Sequence, residues 1–283
     1  MTTPLPLDVS GLAETLLETD GLYFELGARA EALPGASLVR MPGLEHTAAG
    51  CVVQRVDPAC IGDEVAWGYA VGERLGAVGC RLARIYLLGR EPALEAALLR
   101  LGYEPREEIG FLAPVPRSPH RTGVRVRPVV TEVDWQIKHL LHEECPVQSD
   151  GHEGSAHEWV ELERRKAEAG GMTCCLIEVD GEPCGAVATI ELGPFLRIKN
   201  IVIHPAYRGR GLALATVHEL GLVARRRGRR AFGCFAVAGG TGEAVYRRAG
   251  LAAVTSQFEW AKAFRETGAD TAPYTIVLEG DPR

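Results

Sequence analysis

Hydrophobic positions recur with two different periods along the second half of the chain, and each period indicates one kind of element. Alternating or short continuous apolar stretches predict strands, which would cover residues 124–130, 172–179, 184–191, 196–203, 230–237 and 255–261. Apolar residues three and four positions apart predict helices, which would cover residues 132–144, 157–168, 211–227 and 242–249. Asp180-Gly181 is a typical hairpin turn between two strands. The second half therefore combines strands and helices.

The end of the first half follows a similar order. Periodicity predicts helices over 63–78 and 91–101, and strands over 81–88 and 108–112. The second of these helices stops at Gly102-Tyr103 before a strand, as the helix over 242–249 stops at Gly250-Leu251. We therefore predict that the first half is a diverged copy of the second, which makes two tandem domains.

A proline-rich segment separates the two halves. Pro114, Pro116 and Pro119 lie close together with a serine and two arginines. Proline lacks an N–H donor, so this segment fits neither a helix interior nor a central strand. We predict a first domain over 1–115, a linker over 116–122 and a second domain over 123–283.

Composition narrows the class of protein. The chain has 283 residues, 46% hydrophobic and 24% charged, which is typical of a globular protein with a core. The net charge of -6 disfavours general nucleic-acid binding, and no apolar run is long enough to span a membrane. Eight scattered cysteines, several inside apolar strands, favour buried thiols over a disulfide framework. We expect a cytoplasmic protein with no nucleic-acid or membrane partner.

The most informative motif is a glycine-rich turn between a predicted strand and a predicted helix. It reads Arg208-Gly209-Arg210-Gly211-Leu212-Ala213. N–H groups at a helix N-terminus lack partners inside the helix and carry partial positive charge, so they bind phosphate. The glycines have no Cβ and allow close backbone approach, while the arginines add charge-assisted hydrogen bonds. The turn therefore predicts a pyrophosphate site.

Two segments of the second half resemble the GNAT superfamily of N-acetyltransferases. The first is Ile203-His204-Pro205-Ala206-Tyr207 followed by the glycine-rich turn, and the second is Tyr246-Arg247-Arg248-Ala249-Gly250-Leu251. The order of elements over 124–260 is also similar to that superfamily. The resemblance implies an α/β fold with a mixed sheet, built as two tandem GNAT-like domains. It also implies that the central strands splay apart and that acyl-CoA lies between them.

The resemblance also implies roles for individual residues. The backbone of Ile201, Val202 and Ile203 would bind the pantetheine arm of acetyl-CoA, the acyl donor. The pyrophosphate would lie against six residues: Arg208, Gly209, Arg210, Gly211, Leu212 and Ala213. Tyr246 would be catalytic, since a phenol, with a reference pKa of about 10, can protonate a departing thiolate.

The chain departs from the superfamily pattern at the general base. Some members carry a glutamate on the strand before the glycine turn, where this chain has Arg197, Lys199 and Asn200. Glu191 is a candidate base, although it also fits a solvated carboxylate at a strand end. The basic run at 225–230 fits a helix C-terminus, and one of its arginines is a candidate for the 3′-phosphate of CoA.

The first half lacks both motifs. Asp63 and Glu64 open its long helix, where a phosphate would need positive charge, and Leu98 stands where Tyr246 stands in the second half. We therefore expect a degenerate first domain that covers the second domain or forms one wall of the acceptor cleft. The arrangement is similar to mycothiol synthase-type tandem acetyltransferases.

Two further groups of residues have less specific interpretations. His142, Cys145, His152 and His157 are close in sequence but match no common zinc spacing, so we expect no metal. The acidic loop over 143–153 would attract a cationic amine or would be an ordinary exposed surface.

We interpret the chain as an N-acetyltransferase that moves an acetyl group from acetyl-CoA to the amine of a small molecule or protein by direct attack. No cysteine lies in either motif, so no covalent enzyme intermediate is expected. Two alternatives remain open: a non-catalytic acyl-CoA sensor or scaffold, and acylation of a thiol-containing amine as in mycothiol synthase.

Overall fold

A computed structural model describes residues 9–116, 123–145 and 155–264. The described part of the first half contains three α-helices and five strands in the order α1, β1, β2, β3, α2, β4, α3 and β5. Their bounds are α1 Val9–Glu25, β1 Arg29–Leu33, β2 Ala36–Arg40, β3 Cys51–Gln54, α2 Glu64–Ala77, β4 Leu82–Leu87, α3 Pro92–Arg100 and β5 Glu104–Pro114.

The second half contains four helices and six strands among its described residues. Their bounds are β6 Arg125–Pro128, α4 Glu132–Glu143, α5 Ala156–Glu168, β7 Met172–Val179, β8 Glu182–Leu192, β9 Phe195–Ile203, α6 Leu212–Arg226, β10 Ala231–Val237, α7 Thr241–Arg248 and β11 Ala252–Ala263. Every element predicted from periodicity is present, with ends shifted by a few residues. The sequence reading missed α1, β1, β2 and β3.

All eleven described strands form one sheet, in which the two halves exchange their last strands. The order is β1-β2-β3-β4-β11-β5-β10-β9-β8-β7-β6. Strand β5 of the first half pairs with β10 of the second, and β11 of the second half pairs with β4 of the first. The two exchanged strands pair with each other at the centre. Each half therefore completes the sheet of the other.

The strand pairing confirms the internal repeat. Antiparallel pairing places Trp260 of β11 opposite Ile85 of β4, and Phe111 of β5 opposite Cys234 of β10. Trp260 packs under α2 and α3, and Phe111 packs under α6 and α7. The same strand, helix, glycine, strand order thus builds both halves around the central β5–β11 pair.

The helices cover the sheet on both sides. Helices α2, α3, α6 and α7 pack on one face through two hydrophobic clusters. Helices α1, α4 and α5 lie over the other face, where Tyr23 and Phe24 of α1 share a cluster with Trp159 of α5 and Ala188 of β8. Because α1 contacts strands of both halves, it lies across the junction between them.

Buried charges attach α1 to the sheet. Asp20 of α1 forms an ion pair with Arg197 of β9, and both side chains are almost fully buried. Burial acts to raise the pKa of Asp20, but the cations of Arg197 and Lys199 hold it below its usual value. Gln257 of β11 also donates a hydrogen bond to Asp20, at 2.6 Å. A charged group therefore connects α1 to strands on both sides of the exchange.

Most of the predicted linker, residues 117–122, lies outside the described residues, and the domain limits 1–115 and 123–283 stay a prediction. The eight cysteines are free thiols, and all except Cys60 are buried. Among the described helices, none has the length and apolar character needed to cross a membrane.

Replacing Asp20 by Ala should destabilise the protein strongly. The change leaves Arg197 buried without its carboxylate partner, which typically costs about 3–5 kcal/mol. Urea denaturation followed by circular dichroism measures the free energy of unfolding.

The matched control is Glu168→Ala, which removes an exposed ion pair with Arg164. Exposed pairs contribute only about 0–1 kcal/mol, so this variant should unfold close to the unmodified protein. Equal losses in the two variants would show that the Asp20 pair does not hold α1 on the sheet.

Candidate functional site

A bulge in β9 bends this strand away from its neighbour. Asn200 has a positive φ of 55°, and the pairing between β8 and β9 shifts register between Ala186 and Ala188, opposite this position. The Asn200 side chain donates a 2.8 Å hydrogen bond to Glu163 of α5. Glu163 is fully buried and pairs with Lys138 of α4 at 2.6 Å. Helices α4 and α5 therefore hold the bulge through a buried charged network.

The bend opens a gap between β9 and β10. These parallel strands pair only over Phe195–Arg197 and Ala231–Gly233. Beyond that point β9 continues through 201–203 while β10 continues to Val237, and their described register contains no further pairs. The backbone of Ile201, Val202 and Ile203 therefore lies along the open gap, which is the splay that the resemblance implied.

The glycine-rich turn lies directly after this open strand. Gly209 and Gly211 have φ values of 76° and 74°, which L side chains rarely adopt. Gly211 caps α6 without a side-chain hydrogen bond, so the first-turn N–H groups, including those of Leu212 and Ala213, remain available to a ligand. The turn and the strand edge together provide backbone donors at one end of the gap.

The corresponding helix of the first half is capped differently. The Asp63 carboxylate accepts hydrogen bonds from the N–H groups of Val65 and Ala66, at 3.0 and 2.9 Å. At the start of α2, the Asp63 side chain therefore occupies the position that corresponds to the predicted phosphate site at the start of α6. Leu98 is fully buried on α3 where Tyr246 stands on α7. These contacts are consistent with a degenerate first domain.

Two arginines of the turn are exposed and lie against the backbone. Arg208 Nε donates to the Ile203 carbonyl at 3.1 Å, and Arg210 Nη2 donates to the Ala206 carbonyl at 3.1 Å. The guanidinium of Arg210 stacks on the Tyr207 ring at 5.1 Å. Both positive groups therefore lie beside the glycine turn.

Tyr246 lies under the gap, at the inner end of the candidate site. Its side chain is 8% exposed, and its ring centroid is 6.0 Å from that of Phe111 on β5. Burial raises the pKa of the Cys234 thiol on β10, and a hydrogen bond with Tyr246 partly opposes that rise. Tyr246 belongs to the cluster against which Ile201, Ile203 and Leu212 pack. The fold thus brings the two sequence motifs together.

Glu191 and the basic run 225–230 both lie away from the glycine turn. Glu191 forms ion pairs with Arg227 and Arg229, and it faces Leu196 at the opposite end of β8 and β9 from the glycine turn. These two ion pairs give the Glu191 carboxylate a structural role. The basic run 225–230 begins in the last turn of α6, about 20 Å along the helix from Gly211. A contact between one of its arginines and the 3′-phosphate of CoA stays a prediction.

The residues considered for zinc are separated in the fold. His142 Nε2 lies 3.0 Å from Lys138 Nζ, while Cys145 Sγ contacts the Ile203 carbonyl at 3.6 Å. The His157 ring instead packs edge-to-face against His139. His152 and most of the acidic loop, residues 146–154, lie outside the described residues. Within the described ranges no three metal-binding side chains converge.

Sequence reasoning missed a cavity on the opposite face of the sheet, under α1. Its volume is about 40 Å³, and its lining combines the first half with α5 and β9. Arg84 and Tyr86 come from β4, Arg106 and Glu108 from β5, and Lys199 and Asn200 from β9. The available signal was that four of the five residues over 104–108 are charged. It gave no indication that β5 lies next to β10.

Charged groups surround the cavity. Burial, followed by the nearby carboxylates of Glu259 and Asp20, raises the pKa of Glu108. Gln257 Nε2 donates to Glu108 at 2.8 Å. Arg84 and Arg106 both contact the fully buried carboxylate of Glu259.

Comparison with known proteins shows which family most of the second half of the chain resembles. The model of the acetyltransferase (GNAT) family matches residues 135–250, which contain the bulge, the gap, the glycine turn and Tyr246. These residues form a GNAT acetyltransferase domain. The resemblance carried by the two motifs is therefore confirmed. A comparison with curated proteins finds no match.

Solved structures with the same fold extend over most of the chain. A GCN5-related N-acetyltransferase from Sphaerobacter thermophilus is 20% identical, with a TM-score of 0.56, and the alignment covers 90% of this chain and 86% of that one. A GCN5-related N-acetyltransferase from Kribbella flavida is 14% identical, with a TM-score of 0.58, and covers 91% and 96%. A functionally unknown conserved protein from Staphylococcus epidermidis is 11% identical, with a TM-score of 0.59, and covers 84% and 95%. The GNAT fold thus extends into the first half, which confirms the predicted tandem architecture.

Gly211→Ala should destabilise the GNAT domain although space for the methyl group exists. No atom lies within 4 Å of the added Cβ, so the cost comes from the left-handed backbone, about 1–2 kcal/mol. Thermal unfolding measures the change.

The control is Gly62→Ala, next to the corresponding helix start of the first half, where the added Cβ also meets open space. Its φ lies outside the left-handed region, so stability should be unchanged or slightly higher. Equal destabilisation of both variants would exclude backbone strain at Gly211 as the cause.

Proposed function

We propose that this protein is an acetyl-CoA-dependent N-acetyltransferase that acts on an amine by direct attack. The GNAT domain and the fold support acyl transfer in general. The observation that carries the finer proposal is the continuous path from an uncapped helix start, along an open strand edge, to a buried tyrosine.

In this proposal the pyrophosphate binds at the start of α6, through the N–H groups of Gly209 to Ala213 and the arginines Arg208 and Arg210. The backbone of 201–203 holds the pantetheine arm as an added strand would. This arrangement directs the thioester into the gap between β9 and β10.

The chemistry then needs no covalent enzyme intermediate. The amine nitrogen attacks the thioester carbonyl, the C–N bond forms, and the C–S bond breaks with its electron pair on sulfur. Tyr246 is the proposed proton donor to the departing thiolate, because it lies beneath the gap and its phenol carries an O–H donor.

A second candidate function is a non-catalytic acyl-CoA sensor or scaffold. It is favoured by the absence of a glutamate among Arg197, Lys199 and Asn200 on the strand before the turn. A free-thiol assay separates the two functions, since a sensor binds acetyl-CoA but releases no CoA in the presence of amines.

Tyr246→Phe should lower turnover by about 100-fold while the affinity for acetyl-CoA stays within a factor of about two. The ring and its packing on Phe111 remain, so the change removes only the hydroxyl. Thiol release measures turnover and calorimetry measures affinity. Unchanged turnover would remove Tyr246 from the mechanism.

Arg208→Glu should weaken acetyl-CoA binding about 10-fold or more, because it replaces a charge-assisted donor by a like charge beside the pyrophosphate. Arg225→Glu, at the other end of α6, makes the same charge change away from the proposed site. Calorimetry compares the two dissociation constants. Equal effects would place the pyrophosphate elsewhere.

A further inference from the structure

One buried carboxylate connects three elements at the bulge beside the gap. Glu163 of α5 accepts a 2.8 Å hydrogen bond from the Asn200 side chain of β9 and pairs at 2.6 Å with Lys138 of α4. The side chains of Glu163 and Lys138 are 0% and 2% exposed, and His142 Nε2 lies 3.0 Å from Lys138 Nζ. Because this group is closed to solvent, its members depend on one another to balance charge and complete hydrogen bonds.

Asn200 is the residue at which β9 leaves its regular pairing. Between the pairs that Lys199 and Val202 form with β8, strand β9 has two residues where β8 has only Val187. The φ of 55° at Asn200 belongs to the left-handed region, which few residues other than glycine and asparagine adopt. The strand edge over 201–203 follows directly, so the backbone angles of Asn200 set the direction of that edge.

We propose that Glu163 is a positioning residue for acetyl-CoA. Through the Asn200 side chain it fixes the bulge, and it thereby fixes the strand edge over 201–203 on which the pantetheine arm binds. This inference rests on the acyl-CoA site proposed above and deepens it. Glu163 contacts neither the cofactor nor the reacting atoms, and its effect reaches the site through the backbone of β9.

The identity of residue 200 supports this role. Glycine would satisfy the left-handed backbone without any side chain. Asparagine adopts the same angle and also supplies an N–H donor, which here points at Glu163. The side chain at this position therefore adds a contact that the bulge geometry alone does not require.

The charge of Glu163 strengthens that contact. Burial acts to raise the pKa of Glu163, but the cation of Lys138, followed by His142, holds it below its usual value. The carboxyl group is therefore ionised near neutral pH. A hydrogen bond from an amide to a carboxylate is stronger than one between two neutral groups, so it can hold a backbone conformation that is otherwise unfavourable.

The carboxylate is itself held in one place. Capping boxes fix the starts of α4 and α5, and Trp159 and Leu162 of α5 pack in the hydrophobic cluster over β7 and β8. Lys138 then binds the Glu163 oxygen that does not face Asn200. A group supported in this way presents a single acceptor position to its partner.

The sheet supports the strand edge on one side. Strand β8 pairs with Val202 and Ile203, whereas the described register between β9 and β10 ends at Arg197. The Glu163 contact acts at the residue where the pairing with β8 is interrupted. An edge that is fixed before the ligand arrives loses less conformational freedom on binding, which favours affinity.

The first test is calorimetry of acetyl-CoA binding to Asn200→Gly. This variant keeps a residue that adopts the left-handed angle but removes the donor to Glu163. We expect the dissociation constant to rise about 10-fold, the lower end of the effect of one hydrogen bond to a charged group. An unchanged dissociation constant would overturn the proposal.

The matched control is Asp180→Gly, in the hairpin between β7 and β8. Asp180 is also a non-glycine residue with a positive φ, of 53°, so the variant makes the same backbone change away from the gap. Its dissociation constant for acetyl-CoA should stay within a factor of about two of that of the unmodified protein. Equal losses in the two glycine variants would attribute the effect to backbone freedom in general and overturn the role of Glu163.

Reversing the hydrogen bond tests whether the side-chain contact itself matters. Asn200→Asp alone sets two buried carboxylates against each other and should weaken acetyl-CoA binding by at least about 10-fold. In the double variant Asn200→Asp/Glu163→Gln, the new amide donates to the new carboxylate and keeps its oxygen toward Lys138. We expect the double variant to bind within about threefold of the unmodified protein. A double variant that binds no better than Asn200→Asp would overturn the proposal.

Thermal unfolding of each variant shows that it is folded at the temperature of the calorimetry. A stability loss alone would not be reversed for acetyl-CoA binding by the double variant, so the rescue separates positioning from general damage. Absent acetyl-CoA binding by the unmodified protein would overturn the proposed function and this inference together. Normal binding by the unmodified protein and by Asn200→Gly would overturn the positioning role alone.

Discussion

The backbone pairing of β5 with β11 is the interaction on which the rest of the structure depends. Each of these strands belongs to one half and completes the sheet of the other, so the two halves share one continuous ladder of hydrogen bonds. The exchange places Phe111 of the first half against Tyr246 of the second. It also places Glu108 beside the end of β10. The candidate site therefore forms only when both halves are folded together.

Local features of the sequence predicted local structure well. Asp180 and Gly181, the predicted hairpin turn, both have the positive φ of a tight hairpin. The glycine turn, the strand before it and the helix after it are also where periodicity put them. These features depend on neighbouring residues, so a single sequence is enough to identify them.

Features that depend on distant residues were missed or wrong. Thr19 and Asp20 put polar groups on the buried face of α1 and obscured its helical pattern. Glu191 was a candidate base because of its position at the end of β8. Its ion pairs with Arg227 and Arg229 form only when α6 packs back on the sheet, so the sequence could not show them. Nothing in the chain order indicates that β11 lies between β4 and β5. Partner choice between strands depends on contacts far apart in sequence.

The strand exchange also has a consequence for how the chain is made. Ribosomes release β4 long before β11, the strand that covers one of its edges. Until then a newly made first half presents an open strand edge, a common starting point for aggregation. Co-translational folding of that half on its own would therefore be incomplete, and chaperone binding during elongation would protect it.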